Sequence, residues 1–257
     1  MGVYVITGGT TGIGAATRLT LLNQGHEVFN IDYRGGDFCA DLSQKEGRLQ
    51  ALAQIYHRYP EGIDGILCNA GVGPTVPPSL IFSLNFFAGV EMAEGVRALL
   101  RKKGGCCVAT SSNSITQEDL PMDLVDMLTD VMDEAKATEV AKDIPQEYAP
   151  ACYRASKHAL ARWVRRISPS WAADGLRINV VAPGNTSTPM TQNMTEKQKE
   201  AALLIPIPTR YGRNEFLDAQ EIANGIVFLS SPQASGINGV VLYIDGGIDA
   251  LLRSERF

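Results

Sequence analysis

The sequence predicts a doubly wound α/β fold, one parallel sheet with helices packed on both faces. Three observations carry that expectation. Short apolar runs alternate with longer segments of helical pattern along the whole chain. The first run leads straight into the glycine-rich stretch TGGTTGIG (7–14), which opens a helix. The 257 residues show no internal repeat and no low-complexity linker, so residues 1–257 read as a single domain.

In chain order, VYVIT (3–7) is the first predicted strand and residues 12–24 the first helix. EVFNI (27–31) is the second strand, followed by a helix near 44–58. IDGILC (63–68) is the third strand, and a long helix is expected over 82–101. CCVATS (106–111), LRINVVA (176–182) and GVVLYI (239–244) complete the sheet. Helices near 153–173 and 218–230 fill the gaps. Leu160, Trp163, Val164, Ile167 and Trp171 keep the helical spacing in the first of these.

Composition excludes several classes. The net charge is −5 with no basic stripe, which argues against nucleic acid as a partner. No apolar run reaches 18 residues, so no simple membrane span is expected. A strand pattern begins by residue 3, which leaves no room for a signal peptide, and a cytoplasmic setting is expected. Five cysteines (39, 68, 106, 107 and 152) lack ligand spacing, and there are only three histidines, so no metal site is expected. Cys152, although beside Tyr153, reads as a core thiol.

One segment breaks the rhythm. Residues 116–149 hold ten acidic side chains against two lysines, a local charge of −8 that leaves about +3 for the rest of the chain. Leu124, Met127, Leu128, Val131 and Ala135 form an apolar stripe there, predicting an amphipathic helix laid on the body or on a partner subunit, its acids on a solvated face.

The glycine loop spaces Gly8, Gly12 and Gly14 between strand and helix, where backbone N–H groups can approach a pyrophosphate at the helix N-terminus. Asp32 ends the second strand, 20 residues after Gly12. A carboxylate there accepts from both hydroxyls of an adenosine ribose and repels a 2′-phosphate, which favours NAD over NADP. Arg34 is the one nearby cation that would favour the phosphate.

ACYRASKHAL (151–160) places Tyr153 and Lys157 one helical turn apart. Alone, that spacing is a common accident. Beside a dinucleotide loop it suits removal of a proton from an alcohol, because a nearby lysine stabilises a phenolate whose ordinary pKa is about 10.

Taken together, the glycine fingerprint, Asp32, ADL (40–42), NAG (69–71), YRASK (153–157), APG (182–184), TP (188–189) and DGG (245–247) occur in the order of the short-chain dehydrogenase/reductase family, which the chain resembles over essentially its whole length. The resemblance implies a Rossmann-type sheet, NAD as cofactor, and interconversion of a secondary alcohol and its ketone. It implies Tyr153 as acid/base, Lys157 as its modulator and ribose ligand, and Ser112 as donor to the substrate oxygen, with Ser114 in reserve. Asn85 would support proton relay, its structural alternative being a polar residue satisfied at a helix bend. Gly8, Thr11, Gly12, Ile13 and Gly14 would hold the pyrophosphate, and Asp41 and Leu42 would flank the adenine. Asn69, Ala70 and Gly71 would line the adjoining strand end, and Pro183, Gly184, Thr186 and Thr188 the nicotinamide end. A homodimer or homotetramer is implied, paired through the long helices.

One departure stands out. Ser112 and Tyr153 lie 41 residues apart, far more than in most of the family, and the acidic segment fills the difference. That insertion, the chain length, TGIGAATR and the ending DGGIDALLRSERF resemble the bacterial 3α-hydroxysteroid dehydrogenase/carbonyl reductase branch. The substrate loop is expected over 185–212, where Met190, Met194, Leu203, Leu204, Ile205 and Ile207 would join Val72, Pro74, Val76 and Pro77 around a lipophilic substrate. Alternatives are a terpenol, aryl or other lipophilic alcohol as substrate, or a nucleotide-sensing protein without turnover, which the intact Tyr153 and Lys157 disfavour.

Overall fold

A computed structural model describes residues 1–192, 194, 196–213 and 215–256; Asn193 and Thr195 of the expected substrate loop lie outside the described residues. Seven strands, β1 (Val3–Thr7), β2 (Glu27–Asp32), β3 (Phe38–Cys39), β4 (Gly65–Cys68), β5 (Cys106–Thr110), β6 (Arg177–Pro183) and β9 (Val241–Ile244), form one sheet in the order β3-β2-β1-β4-β5-β6-β9. Every pairing is parallel. The chain reverses its direction of growth between β1 and β4, the place where ligands of doubly wound sheets bind.

Alternate side chains of each strand feed two cores. Tyr4 and Ile6 pack on one face with Val108, Val181, Ile222 and Ile226, under the helices α1 (Gly12–Asn23) and α11 (Ala219–Ser230). Val5, Ile66, Cys107 and Ile178 face the other side, against Ala51 and Ile55 of α2 (Lys45–Arg58) and Leu160 and Val164 of α8 (Ala149–Ala173). Burial on both faces is why these strands read as continuous apolar runs. The expected elements of the sheet therefore form. The two-residue β3 has no apolar run to announce it, and neither do β7 (Thr186–Ser187) and β8 (Leu217–Asp218), a separate parallel pair. That pair pins both ends of the substrate loop, with Leu217 N donating to Asn185 O at 2.9 Å.

The single long helix expected over 82–101 is instead a chain of short ones. It runs through α3 (Pro78–Phe82), a π-helical turn at Ser83–Phe87, α4 (Ala88–Gly95) and α5 (Arg97–Arg101). The π turn directs Asn85 inward, where its Oδ1 accepts from Val72 N at 2.8 Å and its Nδ2 donates to Val72 O at 3.0 Å.

The insertion also departs from expectation. It splits into α6 (Met122–Asp126), a π turn at Met127–Val131 and α7 (Glu134–Lys142), with Met132 left-handed at φ 49° between them. The continuous stripe is broken because that turn rotates the second helix: Val125, Leu128, Ala137 and Ala141 are buried while Val131 and Ala135 are exposed. Nor are its acids simply solvated. Asp119, Asp126 and Asp130 pair with Arg154, Arg162 and Arg166 of α8, so the insertion lies on the outer face of the helix that carries Tyr153 and Lys157.

Candidate active site

The carboxyl ends of β1, β2, β4, β5 and β6 open into a cleft of about 920 Å³. At its floor the glycine loop crosses from β1 to α1. Gly12 is left-handed at φ 54°. A Cβ on Gly14 would come within 2.0 Å of Gly8 O, so only glycine lets the loop close on itself there. The Thr11 side chain makes no capping bond to α1, leaving the first-turn N–H groups directed at the cleft. Two neighbours brace the loop: Asn30 Oδ1 accepts from Gly9 N at 2.9 Å, and Asn69 Nδ2 donates to Gly8 O at 3.0 Å. Thr7 Oγ1 in turn accepts from Asn69 N and Ala70 N, locking the ends of β1 and β4 together.

Asp32 stands at the tip of β2, its carboxylate held by Thr10 N at 3.0 Å and Tyr33 N at 2.7 Å. Asp41 and Leu42 border the same end of the cleft. Arg34 stacks on the Tyr33 ring at 5.2 Å and is absent from the cleft lining. The donor-lined loop, the carboxylate and the free helix start fit a dinucleotide with an unphosphorylated ribose.

The other end carries Ser112, Tyr153 and Lys157, brought onto one wall although the insertion separates Ser112 from the other two in sequence. Ser112 Oγ accepts from Ser114 Oγ at 2.9 Å and Ser114 N at 3.2 Å, so the two candidate serines form one unit. Lys157 Nζ donates to Thr110 O at 2.9 Å, and burial brings its pKa down to about 8. Burial pushes the Tyr153 phenol up, and the Ser112 hydroxyl pulls it partly back. Lys157 Nζ lies 5.9 Å from the Tyr153 ring centre and is engaged by Thr110 O.

Of the residues expected to touch cofactor or substrate, Gly8, Thr11, Gly12, Ile13, Asp32, Asp41, Leu42, Asn69, Ala70, Gly71, Pro183, Gly184, Thr186 and Thr188 line the cleft. Gly14 and Asn85 do not; both stand behind the wall, one closing the loop and the other holding the Val72 backbone. Val72, Pro74, Met190, Met194 and Ile205 line the apolar side. Val76, Pro77, Leu203, Leu204 and Ile207 do not. Leu204 is 81% exposed, and Ile207 is buried in the core beside Leu217 and Ile248. Sequence reasoning missed Ile248 and Leu252, which reach the cleft from the C-terminal helix. It also missed Asn30 and Thr110. A polar residue inside the apolar run EVFNI could have flagged Asn30, whereas Thr110 meets Lys157 through its carbonyl, which leaves no signal in residue type, and gives its hydroxyl to Asn69 Oδ1 at 3.3 Å. Cys152 is a core thiol with its pKa raised to about 11 by burial.

A helix-start phosphate cradle at the reversal point of the sheet, with a hydroxyl pair and an ammonium beside it, defines a nicotinamide-dependent oxidoreductase site. Known proteins agree. A family profile described as enoyl-(acyl carrier protein) reductase matches residues 138–249. The 3-alpha-hydroxysteroid dehydrogenase/carbonyl reductase of Comamonas testosteroni is 35% identical over 260 residues, covering 100% of both chains. Coniferyl-alcohol dehydrogenase of Pseudomonas sp. (strain HR199 / DSM 7063) is 30% identical, with 95% of both chains covered. The crystal structure of 3-alpha-hydroxysteroid dehydrogenase from Pseudomonas sp. B-0831 complexed with NADH matches with a TM-score of 0.91 at 36% identity, covering 99% of this chain and 100% of that one. The chain belongs to the short-chain dehydrogenase/reductase family.

Proposed function

We propose that residues 1–257 act as one domain that interconverts a lipophilic secondary alcohol and its ketone with NAD(H), a 3α-hydroxysteroid being the favoured substrate. The observation that carries the reading is the wall formed by Ser112, Tyr153 and Lys157 at the end of the cleft opposite Asp32. When bound, the nicotinamide supplies the acceptor for the hydride leaving the carbinol carbon. Tyr153 takes the hydroxyl proton on its phenolic oxygen, and Ser112, oriented by Ser114, donates to the substrate oxygen. Lys157, its Nζ held by Thr110 O, would place a positive charge near the phenolate and hold the nicotinamide ribose. Asn85 keeps the Val72 backbone in place at the mouth of the relay. Asp32, with no basic residue in the glycine loop, selects NAD.

The hydroxysteroid preference rests on the two relatives whose names carry it and on the apolar lining from Val72, Leu80, Leu84, Met190 and Ile205. The coniferyl-alcohol relative keeps an aryl alcohol as the second reading. We assign a cytoplasmic location, with no helix among the described residues long and apolar enough to cross a membrane, and a homodimer or homotetramer. Initial rates with NAD and NADP against 3α-hydroxysteroids and simple lipophilic alcohols test the reading. Rapid NAD-dependent steroid oxidation is expected. Turnover of other alcohols alone would overturn the steroid assignment and leave the site roles standing.

A further inference from the structure

Glu134 links the insertion to the adenine end of the cleft through the Arg48 side chain. Arg48 of α2 is 0% exposed, and every one of its five N–H donors is used. Its Nε donates to Glu91 Oε2 at 2.6 Å, and its Nη2 donates to Glu91 Oε1 at 3.3 Å and to Glu134 Oε2. Its Nη1 donates to Glu134 Oε1 at 3.3 Å and to Leu42 O at 3.0 Å. Four parts of the chain thus meet at one guanidinium: α2, α4 through Glu91, the start of α7 in the insertion through Glu134, and the turn after β3 through Leu42.

That turn is cofactor wall. Ala40, Asp41, Leu42 and Ser43 all line the cleft. It is braced from within by Asp41 Oδ1, which accepts from Ser43 N at 3.0 Å and from Ser43 Oγ at 2.6 Å. It is packed so tightly on α2 that a Cβ at Gly47 would lie 2.1 Å from Asp41 O. Among the described residues, the side-chain cation on the Leu42 carbonyl is therefore one whose direction is set by two carboxylates, one of them supplied by the insertion. A planar fork gripped on both sides holds its third partner in place; released on one side, it is free to pivot toward the other carboxylate.

We propose that Arg48 is a positioning residue for the adenine end of the cofactor site, and that the insertion, through Glu134, sets the affinity for the dinucleotide. This rests on the dinucleotide reading above. Insertion and adenine wall then behave as coupled parts: whatever displaces α7 loosens the cofactor, and bound cofactor steadies α7.

The full-length protein tests this with Glu134→Gln, which keeps the shape and removes one carboxylate, and Arg48→Lys, whose point charge cannot span two carboxylates and a carbonyl. NADH binding is followed by fluorescence, and amide exchange is followed over residues 40–47. Both variants are expected to weaken NADH binding about fivefold or more, to raise KM for NAD in step while KM for the alcohol stays near wild type, and to quicken exchange in that segment. Asp126→Asn breaks an exposed pair between the insertion and Arg162 and is expected to leave NADH affinity unchanged. If Arg48→Lys does not fold, Glu134→Gln decides. A lower melting temperature with NADH affinity within about twofold of wild type would make the cluster purely structural and overturn the proposal. A wild-type protein that binds no NADH would overturn the dinucleotide reading itself, and the proposal with it.

Discussion

Lys157 gives its ammonium to the backbone carbonyl of Thr110 at 2.9 Å, at the end of β5, and among the described residues no carboxylate pairs with it. A carbonyl dipole compensates a buried cation only in part, so burial brings the lysine down to about 8. The consequence for stability has a definite sign. Between about pH 8 and the ordinary lysine value of 10.5, the unfolded chain holds a proton that the folded one has released, so folding stability rises with pH across that window.

Comparison with Lys157→Met isolates this contribution, because other titrating groups cancel. In the cofactor-free protein, chemical denaturation should show wild type gaining on the variant from pH 8 to pH 10.5, by on the order of 3 kcal/mol. Parallel curves would mean that the lysine is charged and paired in the folded state.

Tyr153→Phe removes the phenolic oxygen while leaving the ring in its place on α8. NADH affinity should stay near wild type and turnover should fall by about 10²- to 10⁴-fold. Full activity in this variant, measured as initial-rate NADH formation, would refute the acid/base assignment.

Asp32 is held by two backbone N–H groups, so its carboxylate presents a fixed acceptor at the tip of β2. Asp32→Ser should lower kcat/KM for NAD by about tenfold or more, since hydrogen bonds to a charged group contribute about 1.5–3 kcal/mol. The NAD-to-NADP ratio of kcat/KM should fall further, because repulsion of a 2′-phosphate is relieved. An unchanged ratio would mean that cofactor choice lies elsewhere.

Gly14 has no space for a methyl group, the nearest atom to an added Cβ being Gly8 O at 2.0 Å. Gly14→Ala should therefore destabilise the fold by about 1–3 kcal/mol or more and abolish NADH binding together with it. Gly236→Ala is the control, since an added Cβ there meets nothing within 4 Å. Thermal melts and NADH titration of the pair separate a tight loop from a general glycine effect.

Much of the site was legible in residue order because its parts sit at strand ends, and strand ends are where an apolar run stops. The glycine loop after VYVIT, Asp32 after EVFNI, Asn69 after ILC and Ser112 after CCVAT all follow that rule. Parallel pairing, with Thr7 beside both Ile31 and Cys68, then brings these ends to one edge without further instruction. Tyr153 and Lys157 were legible because one helical turn places them on one face of α8.

Other features depended on contacts that no local pattern encodes. Helical spacing in 82–101 gave no sign of the π turn at Asn85, whose side chain is held by the Val72 backbone in the cleft wall. The stripe at 124–135 satisfied the period of one helix, yet the left-handed Met132 splits it, and its acids found arginines on α8 about 36 positions away. Thus the sequence by itself determined the order of elements, the dinucleotide loop and the shared helix face of Tyr153 and Lys157, since these follow from apolar periodicity and residue spacing within a few turns of chain. Only the tertiary structure decided where the insertion lies, how Lys157 is engaged, and that Arg48 joins Glu91, Glu134 and Leu42. Those are long-range hydrogen bonds and charge pairs, chosen when the whole chain packs and a buried donor must take whichever acceptor the fold has left beside it.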